Sequence, residues 1–245
     1  MIMIKLLRKL HAAWYIFSVV FSFLLFFPVM YYYSRKPDRY LKLNKYRKGF
    51  GFLSSALAGF FYRYHYKQQL SWNQPYIVCA NHTSNLDISA ITLMMQGNFA
   101  FLGKEELVRN PVLGMFFRTI DIPVNRESKI ASFRAFKKAD EYLQQGMSLV
   151  IFPEGKIGYE YPPILHEFKN GPFRLAIERQ IPIVPVCIDQ LWKLMWDDGF
   201  KHGSYPGVGQ LWVHEPIETK GMTVDDADLL KEQVYQKLQQ NYFSK

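Results

Sequence analysis

The chain has 245 residues, 49% of them apolar and 21% charged, with 30 Lys and Arg against 21 Asp and Glu for a formal net charge of +9. This balance excludes a disordered or collagen-like chain and fits one large core with an attachment. Two cysteines, Cys79 and Cys187, exclude a disulfide framework; both fall in apolar runs and read as small core fillers in a reducing compartment. The basic excess selects anionic partners, among which phospholipid headgroups, phosphorylated metabolites and nucleic acid all fit the sign.

From Ala12 to Tyr33 the sequence AAWYIFSVVFSFLLFFPVMYYY runs for 22 residues without a charge, about 33 Å as a helix and long enough for a bilayer core. Trp14 and Tyr15 at one end and Tyr31, Tyr32 and Tyr33 at the other resemble interfacial aromatic belts. No small-residue cleavage site follows, so the segment is expected to stay as an anchor. Lys5, Arg8 and Lys9 precede it, and Arg35, Lys36, Arg39, Lys42, Lys45, Arg47 and Lys48 follow, with Asp38 the one acid among them. That asymmetry orients the main domain to the cytoplasmic side of the inner membrane and offers contact with anionic lipid. A second apolar stretch, FGFLSSALAGFFY (50–62), is too short to span. It either dips into one leaflet beside the first or packs on the soluble domain. Residues 1–66 thus read as an N-terminal membrane-docking segment of apolar helices around a basic turn, and 67–245 as the main domain.

Beyond residue 66 there is no repeat or low-complexity tract. PYIVCA (75–80), FAFLG (99–103), TIDIPV (119–124), SLVIF (148–152) and IPIVPVCI (181–188) read as strands, mostly without polar alternation. Strands buried on both faces look like this, and their alternation with helices predicts an α/β fold with a mainly parallel central sheet flanked by helices. After Ser128, Phe133, Phe136, Ala139 and Leu143 share one helical face, with Lys137 and Lys138 turned away and Gly146 as the stop. Pro172 opens another helix, and Leu230, Val234 and Leu238 recur every four residues near the C-terminus. Between them, Trp192 to Val208 carries Trp196, Phe200 and Tyr205 among polar residues, the composition of a flap over a site.

Three polar blocks each follow directly after an expected strand: NHTSNLD (81–87), NRES (125–128) and PEGK (153–156). In an open α/β sheet, ligands bind beyond the carboxyl ends of the strands, so the three blocks converge on one rim. Asp87 lies five residues after His82, at the start of the following helix. A carboxylate there fixes the imidazole tautomer and leaves the other ring nitrogen to take a proton from a hydroxyl. The same spacing, Ser84 followed by Asp87, also describes a helix cap in which Asp87 accepts backbone N–H groups. Arg126, at a strand end beside a helix start, is placed to hold a phosphate, although by itself the position equally describes a solvent-facing arginine. Glu154 and Gly155 sit in a rigid turn that either lets a ligand approach the backbone, with Glu154 meeting a hydroxyl, or is only a tight turn.

These residues carry a family resemblance. NHTSNLD with its N-H-x-x-x-x-D core, IDIPVNR ending in Arg126, FPEG with the following FKNGPFRLA (168–176), and PIVPV (182–186) resemble, in order and spacing, the glycerophospholipid acyltransferases, most closely the bacterial 1-acyl-sn-glycerol-3-phosphate acyltransferases. The resemblance implies that His82 is the general base for an acceptor hydroxyl, that Asp87 orients it, and that the hydroxyl attacks an acyl-CoA or acyl-carrier-protein thioester. It further implies that Arg126, Glu154 and Gly155 bind the phosphoglycerol of lysophosphatidic acid, that Lys104 helps to hold phosphate, that the N-terminal apolar segment docks on a membrane, and that the chemistry needs no metal or other cofactor. One departure bears on the acceptor: the family's FPEG-T/S-R continues here as FPEG-Lys156-Ile157, so a point charge stands in for a bidentate arginine. A lyso-amino-acid lipid is the alternative acceptor, and thioester hydrolysis and non-catalytic lipid binding are the alternative functions. Nucleic acid fits poorly, because the basic excess is concentrated beside an apolar anchor and no base-reading motif is present.

Overall fold

A computed structural model describes residues 2–125, 127–196 and 199–242. Two long helices lead the chain, α1 (Ile2–Ser34) and α2 (Tyr40–Leu57), joined by a turn at Pro37–Arg39. There follow β1 (Phe60–Tyr66), β2 (Ile77–Ala80), α3 (Leu86–Met94), β3 (Phe99–Lys104), α4 (Gly114–Phe117) and β4 (Ile122–Val124). The second half runs α5 (Lys129–Gln144), β5 (Ser148–Ile151), α6 (Gly171–Arg179), β6 (Ile183–Asp189), α7 (Leu191–Leu194), α8 (Gly199–His202), β7 (Gly207–Val213) and α9 (Ala227–Tyr242). The strands form one sheet in the order β1-β7-β6-β2-β5-β3-β4, parallel at every pairing except β6 with β7.

The strand sequences explain the layers. Ile77, Cys79, Ala100, Leu102, Leu149 and Ile151 point to the face covered by α5, α6 and α9, while Val78, Ala80, Phe99, Phe101 and Val150 point to the face covered by α3 and Tyr15 of α1. Successive side chains alternate between two buried faces, which is why these runs show no polar period. Cys79 and Cys187 are buried strand residues, and burial pushes both thiols up, away from nucleophilic use. Ser128 caps α5 by accepting from the Ala131 N–H at 3.2 Å, and Pro172 opens α6.

Three expectations need revision. The stretch 50–62 is neither one helix nor wholly membrane-facing: α2 ends at Leu57 and the chain turns at Gly59, with φ of +72°, into β1, an edge strand of the sheet. The division expected at residue 66 therefore falls at the end of a sheet strand. Arg47, counted with the lipid-facing cations, is buried and forms a bidentate pair with Asp121 at 2.9 and 2.7 Å, ringed by Phe99, Phe101 and Phe116. On α5, Phe133 leaves the core face and is 71% exposed, whereas Lys138 turns inward to donate to the Thr119 carbonyl.

Helix α1 buries one stripe, including Ala12, Tyr15, Ser18, Ser22, Phe23 and Met30, against the rest of the protein. Its opposite side exposes Leu6, Leu7, Leu10, Phe17, Phe21, Leu24 and Leu25. Close contact with α2 is set by Gly49, where an added Cβ would stand 2.9 Å from the Phe26 ring.

Candidate active site

The turn after β2 builds the centre of the site. Asn81, fully buried, ties the end of β2 to the end of β6: its Nδ2 donates to the Ile188 carbonyl at 2.9 Å and its Oδ1 accepts the Ile188 N–H at 2.7 Å. The next residue, His82, is thereby held at the sheet rim. Its Nδ1 lies 3.0 Å from Asp87 Oδ2, which also accepts the N–H groups of Thr83 and Ser84 at 2.7 and 2.9 Å. Both readings of Asp87 hold at once, since one carboxylate oxygen caps the turn and orients the imidazole. Because Asp87 is buried and acceptor-only when ionised, Nδ1 carries the proton, and Nε2 keeps its lone pair with no partner among the described residues.

The turn after β5, the neighbour of β2, supplies the wall. Phe152 stacks on the His82 ring at 4.0 Å and an interplanar angle of 14°, restricting the imidazole to one plane. Glu154 is only 3% exposed. Its Oε1 accepts the His82 N–H at 2.8 Å and its Oε2 the His166 N–H at 2.9 Å. Glu154 is therefore a clamp between two main-chain segments, a different role from the hydroxyl contact expected for it. Burial pushes its carboxyl up to about 7, against the pull of the two N–H donors. Gly155 follows with φ of +77°, a conformation that favours glycine, and turns the chain along the cavity wall.

His82, Phe152, Gly155, Lys156, Ile157 and Lys104 line one cavity of about 290 Å³. Lys104 ends β3, which pairs with β5, so three adjacent strand ends deliver these groups. Arg126 lies outside the described residues. Its neighbour Asn125 shapes that turn, with Oδ1 accepting from Glu127 N at 3.0 Å and Ser128 N at 3.1 Å. A second, apolar cavity of about 450 Å³ runs between α1, α2 and α3, and both cavities share Arg47, Asn85, Ile88, Asn110 and Leu113 in their walls. Sequence reasoning missed Phe152 and Arg47 as site residues. Phe152 had a signal, as the aromatic directly before Pro153 on the same rim; Arg47 had none, since its burial depends on Asp121, 74 residues away.

The fold and this geometry define an α/β protein with a candidate site of a kind suited to activating a hydroxyl group: a hydrogen-bonded imidazole whose other nitrogen has no partner among the described residues, beside two lysines. A sequence model described as Acyltransferase matches residues 62–189, just over half of the chain. The chain belongs to the acyltransferase family. An uncharacterized acyltransferase of Schizosaccharomyces pombe is 30% identical over 183 residues, covering 74% of this chain and 65% of that protein. The human 1-acyl-sn-glycerol-3-phosphate acyltransferase alpha is 29% identical over 165 residues, 66% of this chain and 56% of that one. The chain thus spans between half and two thirds of the length of these curated relatives. The crystal structure of the 1-acyl-sn-glycerophosphate (LPA) acyltransferase PlsC from Thermotoga maritima shares the fold, with a TM-score of 0.76 and 22% identity over 98% of this chain and 99% of that one.

Proposed function

We propose that the protein transfers a fatty acyl group from an acyl-CoA or acyl-carrier-protein thioester to the free hydroxyl of lysophosphatidic acid, giving phosphatidic acid. One observation carries the reading: His82 Nδ1 is fixed by Asp87 while the ring borders a cavity that also presents Lys104 and Lys156. Nε2 takes the proton of the acceptor hydroxyl as its oxygen attacks the thioester carbonyl. The tetrahedral intermediate then expels the thiolate, which recovers the proton from the imidazolium, so the base is regenerated without a covalent enzyme intermediate. Asp87 stabilises the transient positive charge, Phe152 keeps the ring in plane, and Glu154 holds the His82 main chain. Lys104, Lys156 and, by family resemblance, Arg126 neutralise the acceptor phosphate. The apolar cavity adjoining the site suits a fatty acyl chain.

The exposed side of α1 supports association with a membrane. A helix that buries one stripe on its own domain along much of its length, and exposes apolar side chains opposite, suits insertion into one leaflet better than passage across it. On this reading the catalytic domain faces the cytoplasm, as the basic turn after α1 favours. A lyso-amino-acid lipid is the second acceptor to consider, because Ile157 lines the cavity where the family pattern carries arginine.

The test is an assay of labelled acyl-CoA with lysophosphatidic acid and, separately, a lyso-amino-acid lipid, with His82→Ala in parallel. Phosphatidic acid formation that drops by about three or more orders of magnitude in the variant supports the reading. Acylation of the second acceptor alone reassigns the substrate, and release of free fatty acid without lipid product rejects the transferase in favour of a hydrolase.

A further inference from the structure

The hydrogen-bond pattern around the catalytic turn leads away from the cavity and into the membrane-facing helix. Ser84 is fully buried; its N–H donates to Asp87 Oδ2, the oxygen that holds His82, and its Oγ donates to the Met195 carbonyl at 2.6 Å while accepting the Leu86 N–H at 3.1 Å. Met195 pairs with Ser204 in an isolated antiparallel bridge. Ser204, also fully buried, donates its N–H to the Arg8 carbonyl at 3.0 Å, and its Oγ lies 2.7 Å from His11 Nδ1. Arg8 stands over the Tyr205 ring at 4.9 Å, and Gly203, with φ of +72°, has no room for a Cβ against Arg8. Four links therefore join the Asp87 carboxylate to the first turns of α1, where Ile2, Leu6 and Leu10 are exposed.

We propose that Ser84 is a positioning residue through which the seating of α1 in a bilayer sets the geometry of the His82–Asp87 pair, so that turnover depends on a lipid surface. The proposal rests on the reading of α1 as the membrane face. The physical reason is that Arg8 and His11 reach Ser204 only while the first turns of α1 are helical and seated. Apart from these links at Arg8 and His11, residues 2–10 are exposed, and a helix end held by so few tertiary contacts frays in water. In lipid the apolar side chains among them are buried, Arg8 and His11 are fixed, and the Ser204 to Met195 to Ser84 relay holds the turn that presents Asp87. Within the stretch expected as a flap, Met195 and Ser204 act in this account as the link between α1 and the catalytic turn.

The experiment compares acyl transfer between short-chain substrates kept below their micellar concentrations, with and without vesicles of equal parts phosphatidylcholine and phosphatidylglycerol. Wild type is expected to gain about tenfold in kcat on vesicle addition, with KM changing by less than about twofold. Ser204→Ala, far from the reacting atoms, is expected to match wild type without vesicles and to lose the gain. Ser84→Ala is expected to lose the gain too, and Ser84→Thr, which restores a hydroxyl, to recover it. A vesicle response in Ser204→Ala equal to wild type overturns the coupling, as does a loss in Ser84→Ala that is the same with and without vesicles. Amide hydrogen exchange at Thr83 and Ser84 needs no substrate and separates this proposal from the acceptor assignment. Slowing by vesicles in wild type but not in Ser204→Ala supports the coupling even if lysophosphatidic acid is not acylated, and equal exchange in the two proteins overturns it.

Discussion

At the site, a single oxygen, Asp87 Oδ2, receives three donors: the imidazole Nδ1 and two backbone N–H groups. Asp87→Asn can place either its oxygen or its nitrogen at that one position. With the oxygen there, the three donors keep a partner but the imidazolium loses its counter-charge; with the nitrogen there, the ring proton is driven to Nε2 and the two backbone N–H groups lose their acceptor. The oxygen placement strands fewer donors, so the expected result is a kcat lower by about 10³–10⁴-fold with little change in melting temperature, in the range seen when a triad carboxylate is neutralised or removed. Steady-state kinetics alongside thermal denaturation checks it, and a collapse in stability instead would make Asp87 mainly a cap. Glu154 makes a different prediction, about pH. Its carboxyl lies at about 7 in the fold against an ordinary 4.5, so between these values the folded protein keeps a proton that the unfolded chain releases. Its contribution is therefore most favourable below the ordinary value and declines as pH rises towards 7, by about 3 kcal/mol at about 1.36 kcal/mol per unit. Glu154→Gln cannot titrate, and leaves one buried N–H without an acceptor at a constant cost of about 1–3 kcal/mol. The stability gap between wild type and variant should accordingly narrow from about pH 5 to about pH 7. Denaturant titrations across that range decide it: a gap that is flat or widens contradicts the burial of an ionising group.

Among the elements, α2 is fastened to the sheet by the Arg47–Asp121 ion pair and by Asn44, whose Nδ2 donates to the Phe99 carbonyl at 2.9 Å. Arg47 reaches from α2 past three phenylalanine rings to Asp121, whose Oδ1 also accepts the Phe101 N–H at 2.9 Å. Removing the carboxylate charge leaves a buried guanidinium uncompensated, so Asp121→Asn should cost about 3–5 kcal/mol. Adding Arg47→Met removes the stranded charge while the new amide oxygen at position 121 can still accept the Phe101 N–H, and the double variant should be more stable than Asp121→Asn alone. Chemical denaturation of the pair of variants measures this, and a double variant no better than the single would show that the aromatic contacts of Arg47 outweigh its charge. The same elements mark the limit of what the sequence discloses. Strands β2 to β6 were legible as short apolar runs, continuous in β2, β3, β5 and β6 because those are buried on both faces. Strands β1 and β7, paired at one side of the sheet, were not: FFYRYHY continues an apolar stretch that reads as helix, and GVGQLWV follows a segment that reads as flap. Their partners lie about 150 residues apart in the chain, Phe60 against Gly207, and a pairing of that range leaves no local period. Arg47 was misread for the same reason, since its counter-ion is distant in sequence.

For the molecule as a whole, the gathering of His82, Glu154, Gly155 and Lys156 at one place was legible because they sit on turns directly after strands, where the fold class alone brings them to one rim. The space beside them was not, because it is bounded by α1, α2 and α3 together. The apolar cavity of about 450 Å³ meets the His82 cavity along shared walls, so an acyl chain whose thioester lies at His82 would extend towards Gly51 and Thr92. Gly51 tests this assignment with little risk to the fold. It lies within α2 and lines the apolar cavity, and a Cβ added there meets only Thr92 Cγ2, at an ordinary 3.8 Å. Replacing a helical glycine also removes a conformational cost of about 1 kcal/mol. Gly51→Leu should therefore leave the melting temperature unchanged or raised while filling part of the cavity. If the cavity holds the donor chain, kcat/KM for long acyl donors should fall by about 10-fold or more, the discrimination expected from a few methylenes that no longer fit. Donors with short chains that end before Gly51 should be used as before. A loss that is the same for every chain length would move the acyl chain out of this cavity, and would leave the space between α1, α2 and α3 to the proposed acceptor.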